Sequence, residues 1–307
     1  MRIVFFGTPE FAVPSFEALL GEGFDVVAAV TRPDAPQGRS RSTAVPPPVK
    51  TAAAAEDVPV LQPALPSDGG FLARVRALAP DIGVVVAYGH ILPPDLLALP
   101  RSGMINVHPS LLPELRGAAP VEWAILNGLR QTGVTIMQME AGLDSGPILL
   151  QIPHDIDPDV TSGELSGHLA EMGAQALVET LALLETDNVR PRAQEHARAT
   201  YAPKLTRETA RIRWTDPAER VARVIRALDP KPGAWTELDG REIKLFGSRV
   251  VDGRGAPGEI QTTDDGLRIA TTQGAVAVED VQPAGKPLMA ASDWLRGRGA
   301  QAGQRFT

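Results

Sequence analysis

The run IGVVVAY at Ile82–Tyr88 decides the fold class, because it is apolar throughout. A strand without polar alternation is typical of a parallel sheet that helices cover on both faces. The preceding segment, Asp68–Ala79, has its apolar residues at helical spacing. A helix that leads into a buried strand is the repeating unit of α/β sheets.

The same alternation of helix and strand continues outward in both directions. Toward the beginning, the sequence predicts strand Ile3–Phe6, helix Pro14–Leu20 and strand Asp25–Thr31. Toward the end, it predicts strands Met104–His108, Val134–Met139 and Ile148–Ile152, then a long helix over Ser162–Leu184 with a capping box from Thr161 and Glu164. These elements predict a Rossmann-like, doubly wound and mostly parallel sheet over residues 1–190.

The alternation of helix and strand patterns ends after residue 190. Residues 191–207 lack hydrophobic periodicity and predict a linker, and an apolar stripe over Pro217–Leu228 predicts a helix. Turn signals then separate short β-prone runs at Asp239-Gly240, Asp265-Gly266 and Gln273-Gly274, and a closing helix is expected over Ala291–Arg296. This pattern predicts a second, smaller domain over residues 208–307, an OB-like β-barrel.

Composition sets limits on the class of protein. The 307 residues are 43% hydrophobic and 22% charged, which suits a globular chain of two domains. No apolar run approaches the ~20 residues that span a bilayer, and Met1–Phe6 does not resemble a signal peptide, so we expect a cytoplasmic protein. The absence of cysteine excludes disulfides, thiolate metal sites and a cysteine nucleophile.

The net charge of −7 is unevenly distributed. Residues 208–307 carry 15 basic and 14 acidic side chains, a net of +1, so residues 1–207 carry −8. Acidic repulsion of nucleic acid is therefore confined to the first part. A basic loop or a basic face on the second part could still hold phosphates.

Residues that could take part in catalysis are concentrated in the stretch INVHPSLLPELRGAAP at Ile105–Pro120. Asn106 and His108 lie two apart on a predicted strand, so their side chains point to the same side. They stand at the carboxyl end of that strand, where open α/β sheets bind ligands. A second loop, Ala141–Gly146, follows another strand and holds Asp144 between two glycines, and two such loops from neighbouring strands can converge.

This trio suits attack of an amine on an acyl carbon. An amide can stabilise developing charge on an oxygen, an imidazole can move a proton near neutral pH, and a carboxylate can orient the imidazole. Direct transfer is favoured, because no Gly-x-Ser-x-Gly elbow surrounds Ser110. The spacing is equally compatible with a structural histidine and two turn residues.

Other chemistries find less support. The turn after the first strand reads Gly7, Thr8, Pro9, Glu10 and Phe11, with one glycine where a dinucleotide fingerprint has three. The chain has no phosphate-binding Gly-x-x-x-x-Gly-Lys-Ser/Thr loop. No histidine pair has metal-ligand spacing, so no metal is expected.

Longer motifs resemble a known family over nearly the whole chain. Asn106-x-His108, Ser110–Pro113 and Asp144 resemble the folate-dependent formyltransferases. Four further stretches resemble the methionyl-tRNA formyltransferases within that family: FFGTPEFAVPS at 5–15, RGAAP at 116–120, GVTIMQMEAGLDSG at 133–146 and YAPKL at 201–205.

The resemblance implies 10-formyltetrahydrofolate as co-substrate and the methionyl amine of initiator tRNA as acceptor, for translation initiation. It implies that Asn106 and His108 stabilise the oxygen of the tetrahedral intermediate, while Asp144 positions His108 and relays the proton of the amine. The folate site would be lined by Ser110, Leu111, Leu112 and Pro113.

For tRNA, the resemblance implies contacts from the basic loop Arg32–Lys50, with Arg39 and Arg41, and from Lys204, Arg207 and Arg211. A solvated surface is the simpler explanation for each of these residues taken alone. We expect a monomer with no membrane contact. Two alternatives remain at this stage: a formyltransferase acting on a small amine such as an amino-sugar nucleotide, and a non-catalytic RNA-binding relative.

Overall fold

The computed structural model describes residues 1–36, 44–263 and 266–307, so Arg39, Arg41 and Asp265 lie outside the described residues. The chain divides into two compact units. The first comprises Met1–Gly117, Thr132–His154 and Ser166–Tyr201, and the second comprises Ala118–Gln131, Asp155–Leu165 and Ala202–Thr307. The domain boundaries expected from the sequence stay predictions.

Strands and helices alternate over the first two-thirds of the chain. In order they are β1 (Arg2–Gly7), α1 (Val13–Gly21), β2 (Asp25–Val30), β3 (Ala35–Pro36), β4 (Ala44–Val45), α2 (Pro48–Ala55), β5 (Val60–Leu61), α3 (Gly69–Ala77), β6 (Ile82–Val86), α4 (Pro94–Leu97), β7 (Met104–His108), β8 (Arg116–Gly117), α5 (Pro120–Leu126), β9 (Gln131–Gln138), β10 (Ile148–Asp155) and α6 (Ser162–Glu185).

Short strands dominate the remainder. They are β11 (Tyr201–Ala202), β12 (Ala234–Leu238), β13 (Arg241–Val251), β14 (Ile260–Thr263), β15 (Gly266–Ala270), β16 (Ala275–Pro283) and β17 (Met289–Ala290), with helices α7 (Ala218–Ala227) and α8 (Ala291–Arg296). Two 3₁₀ turns lie at Glu10–Ala12 and His196–Arg198. In the described part of the chain, no helix is long and apolar enough to cross a membrane.

Within the described residues, seven strands form one sheet in the order β10-β9-β7-β6-β1-β2-β5. The neighbours from β7 through β6, β1 and β2 to β5 are parallel, and β9 is antiparallel to β7. Every residue of the central strand β6 is buried. The predicted doubly wound, mostly parallel sheet is therefore confirmed.

The predicted capping box begins helix α6. The N–H of Glu164 donates to the hydroxyl of Thr161 at 3.3 Å, and the N–H of Thr161 donates to a carboxylate oxygen of Glu164 at 2.9 Å. Each residue thus accepts from a backbone donor that the helix itself leaves without a partner.

The second unit contains an antiparallel sheet, in the order β12-β13-β16-β15-β14 with β17 paired to β16 among the described strands. Its last residues connect the two edge strands. The N–H of Phe306 donates to the Gly258 carbonyl next to β14, and Thr307 exchanges two hydrogen bonds with Glu237 of β12. The smaller β domain is confirmed, with the chain terminus filling the gap between its edges.

Helix α2 was not predicted, because three consecutive prolines at 46–48 suggested a loop. Pro48 is the first helical residue, a position where the missing proline N–H has no partner to lose. Val49 and Ala53 are buried one turn apart and anchor the helix. Lys50, expected in the basic loop, lies in α2, where it donates to both carboxylate oxygens of Asp34 at 2.7 and 2.8 Å.

Candidate active site

Strand β7 presents Asn106 and His108 at its carboxyl end, as predicted. Its backbone lies between β6 and β9, with Asn106 opposite Val85 and Met137. The Asn106 side chain is half-buried and has no hydrogen-bond partner among the described residues. Its amide is therefore available to a bound molecule.

The imidazole of His108 is buried, and each of its two nitrogens faces an oxygen of a neighbouring residue. Its Nε2 lies 3.0 Å from the carbonyl oxygen of Leu115, and its Nδ1 lies 3.9 Å from Oδ2 of Asp144. A carbonyl oxygen can only accept, so this contact assigns a proton to Nε2. Nδ1 is consequently the nitrogen that faces Asp144 and can exchange a proton there.

Asp144 occupies a loop whose backbone suits few residues. Its φ is 47°, in the left-handed region that aspartate tolerates better than most side chains. A Cβ on Gly146 would lie 1.9 Å from the carbonyl oxygen of Gln138, so glycine is required there. The carboxylate is only 15% exposed and accepts from the N–H of Gly117 at 2.8 Å.

The predicted meeting of Asp144 with His108 is therefore seen, although the reason differs from the one expected. The sequence suggested that two neighbouring strands end at the same edge. Instead β9 is antiparallel to β7, and its last residue, Gln138, pairs with Ile105. The loop after β9 must return along the sheet before its aspartate reaches the end of β7.

The segment Ser110–Pro113 forms a tightly bonded turn. The hydroxyl of Ser110 donates to the Glu114 carbonyl at 2.6 Å, which engages the proton that a nucleophile would have to lose. Thr135 is fully buried, donates to the Ser110 carbonyl at 2.6 Å and accepts from the N–H of Leu112 at 3.2 Å. The role of this turn in folate binding stays a prediction.

The segment that follows strand β6 contains residues near this sheet edge that the sequence did not single out. Strand β6 is parallel to β7, so the residues after it share the sheet edge on which His108 lies. The buried Tyr88 hydroxyl has no partner within the described chain, and burial raises the pKa of Tyr88 to about 12. Burial and the charge of Arg32 lower the pKa of His90. Ile91, in the same segment, is 88% exposed.

The basic residues of the second unit that are predicted to contact tRNA differ in whether they already have partners within the protein. Lys204 is exposed and has no ion-pair partner in the described residues. Arg207 donates to Glu242 at 2.6 Å and lies over the ring of Trp235 at 4.2 Å, while Arg211 lies 5.1 Å from the same ring. Arg207 is therefore engaged within the protein.

A groove of about 490 Å³ lies beside these residues in the second unit. Its charged lining consists of Arg211, Arg213, Arg220, Arg223, Glu208 and Asp216. Four cations against two acids give the groove a net positive charge, which suits a polyanion.

Comparison with protein families shows to which family the chain belongs. The profile described as "Formyl transferase" matches residues 1–181, and the profile described as "Formyl transferase, C-terminal domain" matches residues 204–299. The chain belongs to the formyl transferase family. The trio Asn106, His108 and Asp144 lies within the first matched segment, and most of the lining of the basic groove lies within the second.

Curated relatives match the chain along almost its whole length. Methionyl-tRNA formyltransferase of Roseiflexus sp. (strain RS-1) is 47% identical over 310 residues, covering 100% of this chain and 95% of the relative. The protein of the same name from Geotalea uraniireducens (strain Rf4) is 43% identical, covering 97% of this chain and 95% of the relative.

Solved structures share the fold at low identity. HypX from Aquifex aeolicus in complex with tetrahydrofolic acid aligns with a TM-score of 0.71 and 20% identity, over 96% of this chain and 47% of HypX. WlaRD, a sugar 3N-formyl transferase crystallised with dTDP and 5-N-formyl-THF, aligns with a TM-score of 0.70 and 15% identity, over 94% and 99% of the two chains. Residues 1–36, 44–263 and 266–307 of the chain contain no group of three His, Asp or Glu side chains that could hold a metal ion.

Proposed function

We propose that this chain transfers the formyl group of 10-formyltetrahydrofolate to the α-amino group of methionyl-initiator tRNA. The observation that carries this proposal is the 43% identity or more, over nearly the full length of both units, with relatives named methionyl-tRNA formyltransferase. Such a role belongs where translation is initiated, and we propose a cytoplasmic monomer.

The geometry of the trio supports direct transfer. The free amide of Asn106 donates to the formyl oxygen as the methionyl amine attacks, because negative charge develops on that oxygen. The Nδ1 side of His108 and the Asp144 carboxylate face each other across 3.9 Å, too far for a direct hydrogen bond. A substrate amine that approaches from the side, within hydrogen-bond reach of both groups, can therefore pass its proton to one of them.

The binding surfaces follow from position and charge. The turn Ser110–Pro113 and the loop with Ile91 border the edge of the sheet at which His108 lies, and we assign the folate to that edge. We assign phosphates of the tRNA to the basic groove of the second unit, with Lys204 and Arg211, and to the loop that contains Arg39 and Arg41. Phosphate contacts of this kind weaken as the salt concentration rises.

A formylation assay tests the proposal. We expect transfer to methionyl-initiator tRNA, much slower transfer to methionyl-elongator tRNA, and none to an amino-sugar nucleotide. Preference for the amino-sugar nucleotide would overturn the tRNA assignment in favour of a small-amine formyltransferase.

His108→Ala separates an enzyme from a non-catalytic RNA-binding relative. We expect formylation to fall by about 100-fold or more, the usual worth of general acid–base catalysis, while tRNA binding is retained. His168→Ala, an exposed histidine on α6, is the matched control and should keep full activity. Formylation unchanged in His108→Ala would refute the mechanism.

A further inference from the structure

A buried amide outside the catalytic trio holds the loop that carries Asp144. Gln194 is 6% exposed and lies in the segment whose sequence predicted a linker. Its Nε2 donates to the carbonyl oxygen of Asp144 at 2.9 Å and to that of Gly146 at 2.7 Å. Its Oε1 accepts from Nε and Nη2 of Arg116 at 3.1 and 2.6 Å.

These four hydrogen bonds use the whole capacity of a carboxamide, which has two N–H donors and two oxygen lone pairs. Arg116 can only donate and the two carbonyls can only accept, so the amide has a single workable orientation. Arg116 is itself buried, and its other named partner is Nδ1 of His196 at 3.1 Å. The guanidinium therefore orients Gln194, and Gln194 holds the loop.

The same segment also supports the loop on the other side of the site. The hydroxyl of Thr200 accepts from the N–H of Leu115 at 2.8 Å, and the Thr200 carbonyl accepts from the N–H of Arg116 at 2.9 Å. Leu115 supplies the carbonyl that bonds His108. Residues 194–200 thus contact the loops of both His108 and Asp144.

We propose that Gln194 is a positioning residue that sets the separation between Asp144 and His108 during proton transfer. The inference rests on the formyl transfer proposed above. The backbone of Asp144 is in the left-handed region, so it needs restraint from outside the loop. A displacement of about 1 Å in a reacting group can cost about 100-fold in rate.

Gln194→Glu is the sharpest test, because glutamate has the same shape. Its carboxylate would still accept from Arg116, but it turns an oxygen instead of an N–H toward two carbonyl oxygens. We expect kcat for formylation to fall by about 10- to 100-fold, with KM for folate and tRNA changed by no more than about threefold. We also expect faster amide hydrogen exchange in residues 141–146, a readout that needs no substrate.

Gln175→Glu is the matched control, since Gln175 is exposed on α6 and the change in charge is identical. It should keep the kcat and the exchange rates of the wild type. A folded Gln194→Glu protein with wild-type kcat and wild-type exchange would overturn the proposal, because Gln194 would then serve Arg116 alone.

If Gln194→Glu does not fold, Gln194→Asn takes its place. The shortened amide cannot reach both Arg116 and the two carbonyls, so kcat should again fall at nearly constant KM, and an unchanged kcat would count against the proposal. A wild-type protein without formylation activity would defeat the proposed function instead, while hydrogen exchange would still show whether Gln194 restrains the loop.

Discussion

At the scale of single residues, the carboxylate of Asp144 has two neighbours, and a role in proton transfer is proposed for one of these contacts. Its Oδ2 accepts from the N–H of Gly117 and also faces Nδ1 of His108. An asparagine can still accept from Gly117 with its side-chain oxygen, but it carries no charge and cannot take a proton at neutral pH. Substitution can therefore separate the two contacts.

We expect Asp144→Asn to reduce kcat by about 100- to 10,000-fold, the range of positioned acid–base groups, with little change in melting temperature. Steady-state formylation and thermal unfolding measure the two effects. A variant that unfolds much more easily yet retains turnover would show that the carboxylate acts through the loop and not in the chemistry.

Arg39 is a second residue whose role can be tested, although it lies outside the described residues. If it contacts a tRNA phosphate, Arg39→Ala should weaken turnover on tRNA by about 10- to 100-fold and leave folate binding unchanged. The deficit should shrink at high salt, where the wild type loses the same contact. Equal losses for tRNA and folate would contradict the assignment of this loop to tRNA.

At the scale of elements, helix α5 contains a glutamate, Glu122, whose surroundings disfavour its charged form. Burial raises the pKa of Glu122 above its usual value, because the folded protein disfavours the charged form. Glu122 then lowers the free energy of unfolding at every pH at which its carboxyl would be ionised in the unfolded chain. The cost is absent below the unfolded pKa and grows as the pH rises through the raised folded pKa.

Glu122→Gln should consequently raise the melting temperature at pH 7 and leave it nearly unchanged at about pH 3.5, where glutamate is protonated in both states. Thermal unfolding across this range measures the difference. Glu179→Gln makes the same change at an exposed position of α6 and is the control. An equal gain at both pH values would show that charge is not the cause.

The helices and turns also show which parts of the fold could be predicted from the sequence. Helices α6 and α8 and the Asp239-Gly240 turn were predicted correctly, because periodicity, capping and turn chemistry are local. Asp239 and Gly240 both have positive φ, as the primed turn requires. Helix α2 was missed, because its stability depends on burying Val49 and Ala53 against distant residues.

At the scale of the whole molecule, one aromatic side chain packs the last residues of the chain into the core of the second unit. Phe306 is buried and stacks on Trp214 at 5.7 Å and on Trp294 at 6.4 Å between ring centroids. Its backbone also bonds the edge of the sheet next to β14. The terminus thus belongs to the core of this unit.

Phe306→Ala should destabilise the second unit by about 3–5 kcal/mol, the usual cost of emptying an aromatic core site. Denaturant unfolding, followed by tryptophan fluorescence, measures the loss. Leu288→Ala removes a side chain that is 53% exposed and should change stability by less than about 0.5 kcal/mol. A Phe306→Ala protein as stable as this control would show that the tail does not close the sheet.

The sequence by itself determined the main strands and helices and the family, because each depends on local pattern or on matched motifs, while the catalytic role of the trio stays a prediction. Only the tertiary structure decided how Asp144 reaches His108 past an antiparallel strand. It also placed the side chain of Gln194, 50 residues beyond Asp144, where it donates to the carbonyl of that residue. Contacts over such separations leave no periodicity in the chain, since they depend on how the backbone packs in space.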